Sequence, residues 1–192
     1  GEAGLHPSNI HDNAYAIGAI DFTGDMPIIL GPDGPRLGGF VCPAAIVQSE
    51  LWKIGQLKPG DTVHFHCLSA EDALQRELDQ DRQIETLQLS PSPLISTSPP
   101  PHSPILHQIP QSVAQIAVTY RPAGDKYLLV EYGPLVLDLN LRFRVHALME
   151  WLRSNHLPGI WDLTPGIRSL QVHYDSRVLP LSTLLDPLVA AE

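Results

Sequence analysis

Concentrated positive charge is missing from this sequence. Its 12 lysines and arginines are scattered singly among 21 acidic residues, for a net charge of −9. Nucleic acid and anionic lipid both require clustered cations, so neither is expected as a partner. No stretch approaches the roughly 20 apolar residues that a membrane-spanning helix needs, which argues against membrane insertion. The N-terminal GEAGLHPSNI lacks the basic and apolar regions of a secretory signal. It also lacks an initiator Met, and the terminal LLDPLVAAE stops in mid-amphipathic pattern, so the chain reads as a piece of a longer reading frame. There are only two cysteines, Cys42 and Cys67, both in apolar strand-like contexts. That is too few for a disulfide framework, and buried free thiols in a cytoplasmic protein are the expectation. Familiar catalytic signatures are absent as well. The sequence has no GxSxG for a nucleophilic serine, and neither cysteine lies in an activating context. It has no P-loop and no GxGxxG for a nucleotide.

What is present divides into three parts. Hydrophobic residues make up 43% of the chain, enough for a packed core, while much of the excess among its 19 prolines falls in one stretch. That stretch, residues 89–111, is LSPSPLISTSPPPHSPILHQIPQ. Pro and Ser at this density bury too little surface to offset chain entropy, so it reads as an extended, flexible linker.

Residues 1–88 precede the linker. MPIIL (26–30) and GFVCPAAIV (39–47), bounded by turn formers, carry the strand signature. QSELWKIGQL (48–57) reads as a short helix weakened by Gly55, and the alternation of Val63, Phe65 and Cys67 as another strand. Ser69, with Asp72 three positions on, opens a second helix with a sparse apolar stripe at Leu74, Leu78, Ile84 and Leu87. Strands dominate this part, but they are too few to close a barrel.

Residues 112–192 follow it. AQIAVTY (114–120) and KYLLVEY (126–132) flank the turn at Pro122–Asp125 and read as a hairpin. Leu141, Val145, Leu148, Met149 and Leu152 mark a helix from Leu139 to Ser154, stopped by Leu157-Pro158-Gly159. Ile160–Leu163 and SLQVHY (169–174) read as strands, and a helix begins at Leu181 with Asp186-Pro187 interrupting it. The order ββαββα gives a small α+β layer with its helices on one sheet face.

Chemistry-bearing residues crowd the first 25 positions: His6, Ser8, Asn9, His11, Asp12, Asn13, Tyr15, Asp21, Thr23 and Asp25. Asx turns in a solvated loop would suit Asn9, Asp12 and Asn13. A metal centre at His6, His11 and Asp12 has no HxH or CxxC spacing behind it, and none is expected. His64 and His66 form an HxH pair without a third ligand nearby and read as ordinary strand histidines. Arg142, Arg144 and Arg168 read as solvated, since Arg142 and Arg144 do not share a helix face. Gly38 and Gly39 either allow a close backbone approach or simply mark a strand entry.

At these residues a family resemblance emerges. The run HPSNIHDNAYAIGAIDFTGDMPIILGPDGPRLGGFVCPAAIVQSELWKIGQLKPGDTVHF resembles the carboxyltransferase region of urea carboxylases. VTYRPAGDKYLLVEYGPLVLDLNLRFRVHALMEWL and WDLTPGIRSLQVHYD resemble the next segment of the same enzymes. The resemblance implies the tail of a cyclophilin-like β-barrel module in 1–88 and the α+β front of a second module in 112–192. It also implies a biotin-dependent ligase whose biotin carboxylase domain, using ATP and bicarbonate, and whose biotin carrier domain lie elsewhere in the protein. Urea would be carboxylated to allophanate, and this piece alone would be inactive. Related architectures leave two alternatives, a Kip-type regulatory module and a 5-oxoprolinase subunit. Guanidine is an alternative substrate.

Urea is small, neutral and rich in N–H donors, so its pocket must present acceptors. Asn9, Asp12 and Asn13 qualify. His6 or His11 could relay or stabilise charge as the attacking nitrogen loses its proton. Tyr15 could orient the urea carbonyl through its hydroxyl. The resemblance thus points to His6, His11 and Asp12 as catalytic residues and to Asn9, Asn13 and Tyr15 as substrate-binding ones.

Overall fold

The structure, a computed structural model, describes residues 9–88 and 103–192, apart from the side chains of residues 9, 11 and 12. Its first segment opens with β1 (Asn9–Ala14), β2 (Ala19–Thr23) and β3 (Met26–Ile29), followed by β4 (Leu37–Phe40) and the two-residue β5 (Ala44–Ala45). Two small sheets result, β1–β4 and β3–β2–β5. The β2–β3 hairpin turns at Gly24-Asp25, where Gly24 has φ of +71°. A two-residue turn of this kind requires positive φ, which glycine adopts without strain. β1 and β2 had no counterpart in the strands read from sequence, because polar residues interrupt their apolar pattern.

Two expectations for this segment change. The helix expected over residues 48–57 is a 3₁₀ turn (Gln48–Glu50) leading into a single α-turn, α1 (Leu51–Ile54), which ends at Gly55. Residues 61–69 form no strand, and Val63 and Phe65 are exposed, as is Cys67. Alternation prepares a strand, but an unpaired strand has nothing to satisfy its backbone. α2 (Ala70–Thr86) starts as expected, with the Ser69 hydroxyl accepting the Asp72 N–H at 3.0 Å. It docks through an unexpected face, however. Ala73 and Glu77 are buried, whereas Leu78, Ile84 and Leu87 are exposed.

The second segment is one antiparallel sheet of β6 (His107–Ile109), β7 (Val118–Pro122), β8 (Tyr127–Tyr132), β9 (Ile160–Pro165) and β10 (Ser169–Tyr174), in the order β6-β7-β8-β10-β9. α3 (Leu139–Asn155) and α4 (Leu181–Ala190) complete it. Val118, Tyr120, Leu128, Val130, Leu170 and Val172 from the sheet close a core with Leu141, Val145, Leu148 and Leu152 of α3 and Leu184 and Leu188 of α4. Each large apolar side chain buried in this way contributes about 1.5–3 kcal/mol. α4 runs through Pro187 without stopping. Packing of Leu184 and Leu188, one turn apart and fully buried, offsets the lost backbone bond. β6 lies inside the stretch read as linker, where it covers the edge of β7 by pairing Gln108 with Thr119. The Pro/Ser-rich residues 89–102 lie outside the described residues.

The two segments meet across the other face of this sheet. Tyr127 and Ala123 of the second pack with Tyr15, Ala16, Ala19 and Leu30 of the first. The Gln48 N–H donates to the Asp125 carboxylate at 3.0 Å. The strongest tie is ionic. Lys126, only 2% exposed, places Nζ 2.5 Å from Glu77 of α2 and 3.0 Å from the Ser176 hydroxyl. Asp175 lies 3.5 Å from the same Nζ, and Arg177 bridges Asp175 at 2.9 Å and Asp81 of α2 at 2.7 Å. The Arg177 guanidinium holds the Asp175 carboxyl down at about 2. Charges removed from water this far need partners on all sides, which explains why α2 turns its charged face inward.

Candidate functional site

The strand β1 carries most of the residues singled out from the sequence. It pairs with β4 at Asn9↔Phe40 and then at Asn13↔Gly38, so the three residues between Asn9 and Asn13 oppose the single Gly39. This is a bulge, and bulges re-aim the side chains they carry. His11 and Asp12 sit within it. His6 and the side chains of Asn9, His11 and Asp12 lie outside the described residues.

Beneath the bulge, two glycines sit where a side chain would be crowded. A Cβ on Gly38 would overlap the Tyr15 ring, and one on Gly39 would lie 3.1 Å from the Ile10 carbonyl oxygen. Of the two readings open for this pair, the structure supports close approach. Tyr15 is buried, and its hydroxyl accepts the Phe40 N–H at 2.8 Å. It therefore braces the ribbon from within, a support that the sequence does not reveal.

The wall behind β1 comes from the second segment and was not anticipated. Alternate residues of β10 point away from the helices: Ser169, Gln171 and His173. The Ser169 hydroxyl donates to Asn13 Oδ1 at 3.4 Å, and Gln171 Nε2 donates to the Ala14 carbonyl at 3.3 Å. In register beside Ser169 lies Glu131 of β8, which receives Arg168 at 2.6 Å and Arg121 at 2.5 Å. Arg168 is thus paired and largely buried, which corrects its solvated reading, whereas Arg144 pairs with Glu192 at 3.3 Å and stays largely exposed. One sequence signal did mark this wall. SLQVHY places polar residues at every second position of a strand whose other face is apolar.

Further along the same face, His173 stacks on Tyr127 with centroids 4.2 Å apart, and Trp161 meets it edge-on at 4.8 Å. Burial lowers the affinity of His173 for a proton; Asp162 opposes this, while Lys126 and Arg36 add to it. Arg36 of the first segment reaches Asp162 at 2.6 Å. On β2, Asp21 is buried, which raises its pKa, and it lies 3.9 Å from Cys42 Sγ. Burial, with the nearby Asp21 charge, pushes the Cys42 thiol up to about 12, which makes it unreactive. Among the described residues no cluster of three His, Cys, Asp or Glu side chains could hold a metal ion, and no helix is long and apolar enough to cross a membrane. A separate depression of about 280 Å³ at the C-terminal end of α3, lined by Arg153, His156 and Trp161, contains none of the catalytic or substrate-binding candidates named from sequence.

Comparison with known proteins bears on both segments. Residues 1–67 match the family model described as carboxyltransferase domain, subdomain A and B, and residues 118–192 match that of subdomain C and D. The whole chain aligns with a urea amidolyase of Lachancea kluyveri at 45% identity, covering 11% of that protein. It aligns equally completely with a putative urea carboxylase of Emericella nidulans at 39% identity, covering 17% of it. The crystal structure of the Kluyveromyces lactis urea carboxylase superimposes with a TM-score of 0.89 at 44% identity, over 99% of this chain and 17% of that one. The chain therefore spans less than a fifth of the length of these relatives.

Proposed function

This chain belongs to the carboxyltransferase family in the form found in urea carboxylases, and from that premise we propose that it is a segment of a biotin-dependent ligase converting urea to allophanate. The likeness to a solved urea carboxylase through both segments carries this reading. Residues 1–88 are the C-terminal part of a first, cyclophilin-like module, and residues 112–192 are the α+β front of a second. The partners are the biotin carboxylase domain, which uses ATP and bicarbonate, and the biotin carrier domain of the same polypeptide. A Kip-type module or a 5-oxoprolinase subunit is the weaker reading, because the whole-chain likeness is to urea-metabolising carboxylases.

The bulged β1 is the substrate segment. Urea offers N–H donors on two sides and a single carbonyl acceptor, so a site for it needs both acceptors and at least one donor. Asn9 and Asp12 are the acceptors, Asn13 contributes its amide, and His6 or His11 stabilises charge as the attacking nitrogen loses its proton. Tyr15 supports them by holding β4 in place. No step is assigned to biotin, which on this reading is carried by a separate domain. When bound, biotin supplies the activated carboxyl group.

The test is turnover by the whole enzyme with bicarbonate, ATP and either urea or guanidine. Urea-dependent allophanate formation is expected. Turnover of guanidine alone would replace urea by its cationic analogue, and ring-opening of 5-oxoproline with neither activity would remove the carboxylase reading.

A further inference from the structure

We propose that the first turns of α3 and the loop leading into it form a docking face for the rest of the second module, the polypeptide that continues beyond Glu192 in the whole enzyme. The inference rests on the reading of residues 112–192 as the front of that module.

Elsewhere in the second segment, exposed large apolar side chains stand singly along the chain, as Trp161 and Val178 do. Between positions 135 and 143 they crowd together. Leu135, Val136, Leu137, Leu139 and Phe143 all reach water, and Leu137, Leu139 and Phe143 are each at least 65% exposed. Leu139 and Phe143 are one turn apart on α3, so they share a face. The helix already turns Leu141, Val145 and Leu148 to the core, and no rotation could bury both sets. Grouped apolar surface of this kind marks an interface.

Arg142, one turn on from Leu139, adds a charge to the edge of this face. Its guanidinium has no hydrogen bond or ion pair among the described residues, yet Nη1 is shielded from water. Every other arginine of the chain has an ion-pair partner. A half-buried cation without a partner is unfavourable, and a carboxylate brought to its open side would relieve it. The occupant therefore presents apolar side chains and an acid.

The position of Glu192 selects which occupant. Its carboxylate receives Arg144, the residue after Phe143, at 3.3 Å, and the Tyr132 hydroxyl also donates to it. Polypeptide continuing from Glu192 thus starts beside the helix that carries the patch, and the relatives are more than five times as long as this chain. A second copy of the face fits less well. It would bring another unpaired arginine, while the acid at its edge, Asp138, is committed to capping α3 through the Asn140 N–H at 2.8 Å.

The test places the photo-crosslinker p-benzoylphenylalanine at position 143 of the whole enzyme and identifies the joined peptides by mass spectrometry. Cross-links to sequence beyond Glu192 of the same chain are expected. Cross-links to a second copy, seen as doubled mass in a denaturing gel, or to polypeptide preceding Gly1, or none, would overturn the proposal. Hydroxyl-radical footprinting of the unsubstituted enzyme supplies a readout that no variant can confuse. Relative to the unfolded enzyme, Leu139 and Phe143 should be as protected as the core residue Leu148, and a rate near the unfolded one would equally count against docking. Arg142→Glu should unmask Phe143 with Leu148 still protected, whereas Arg142→Lys should not. A Phe143 that stays protected in Arg142→Glu would overturn the pairing with a carboxylate. None of these readouts measures turnover, so a bare face would leave the urea reading standing, and loss of the urea reading would leave the cross-links unchanged.

Discussion

The second segment has a core of its own, whereas the first is organised largely by what it rests on. In residues 103–192, two helices and five strands bury one continuous apolar cluster, and the strongest elements each supply several of its members. In residues 9–88, the sheets have two and three strands, and Trp52, Val63, Phe65 and Leu37 remain exposed. Its order comes from docking: a small cluster around Tyr15 and Tyr127, two hydrogen bonds to β1, and the buried charges at Lys126. Apolar packing built one segment, and polar complementarity attached the other to it. Because hydrogen bonds are directional, the attachment constrains where β1 sits against the second segment.

Removing a charge from the buried cluster should break this comparison most severely. Lys126→Met leaves Glu77 without its closest partner in a dry environment, and an unpaired buried charge costs about 3–5 kcal/mol. Denaturant unfolding should show that loss, with protease cutting first in α2. Combining it with Glu77→Leu should restore most of the stability, and failure to do so would mean that α2 is held by other contacts.

Gly38→Ala should act more locally. The added methyl overlaps the Tyr15 ring, and overpacking of this kind costs about 1–3 kcal/mol. Hydrogen exchange should quicken in β1 and β4 while the helix-backed core stays protected and, on the function proposed above, carboxylation of urea by the whole enzyme should fall.

The smallest effect concerns pH. Burial holds His173 below its ordinary value, so the folded chain stays unprotonated where the unfolded chain takes up a proton. Stability should therefore be complete above about pH 6.5, the unfolded value, and decline as pH falls below it. Asp175, held at about 2, does not titrate in that range. His173→Phe should flatten the decline, which thermal unfolding followed between pH 7 and 5 would reveal.

Much of the second segment was legible because its pattern repeats at the right period. SLQVHY is the strand expected, from Ser169 to Tyr174, and the apolar spacing from Leu141 to Leu152 is α3. Pro187 read as a break and is not one, because two leucines one turn apart outweigh it. In the first segment, Ser69 correctly announced a helix start through a purely local bond. The strand read at Val63–Cys67 has no pairing partner among the described residues, and the polar residues of β1 concealed a strand whose partner, β4, lies more than twenty positions away. The candidate site was half visible. Its residue types pointed to β1, while the bulge, the buried Tyr15 and the wall of Ser169 and Gln171 depend on contacts between distant parts of the chain.

The shortage of clustered cations and of long apolar runs, the periodicities of α3 and β10, and the polar run around β1 were determined by the sequence itself, since charge count and side-chain period are local properties. Which way Glu77 faces, what Tyr15 does and what stands behind Asn13 were decided only in the tertiary structure. A buried polar group takes its meaning from the partner that satisfies it, and here those partners are Lys126, Phe40 and Ser169, each brought into place by the fold.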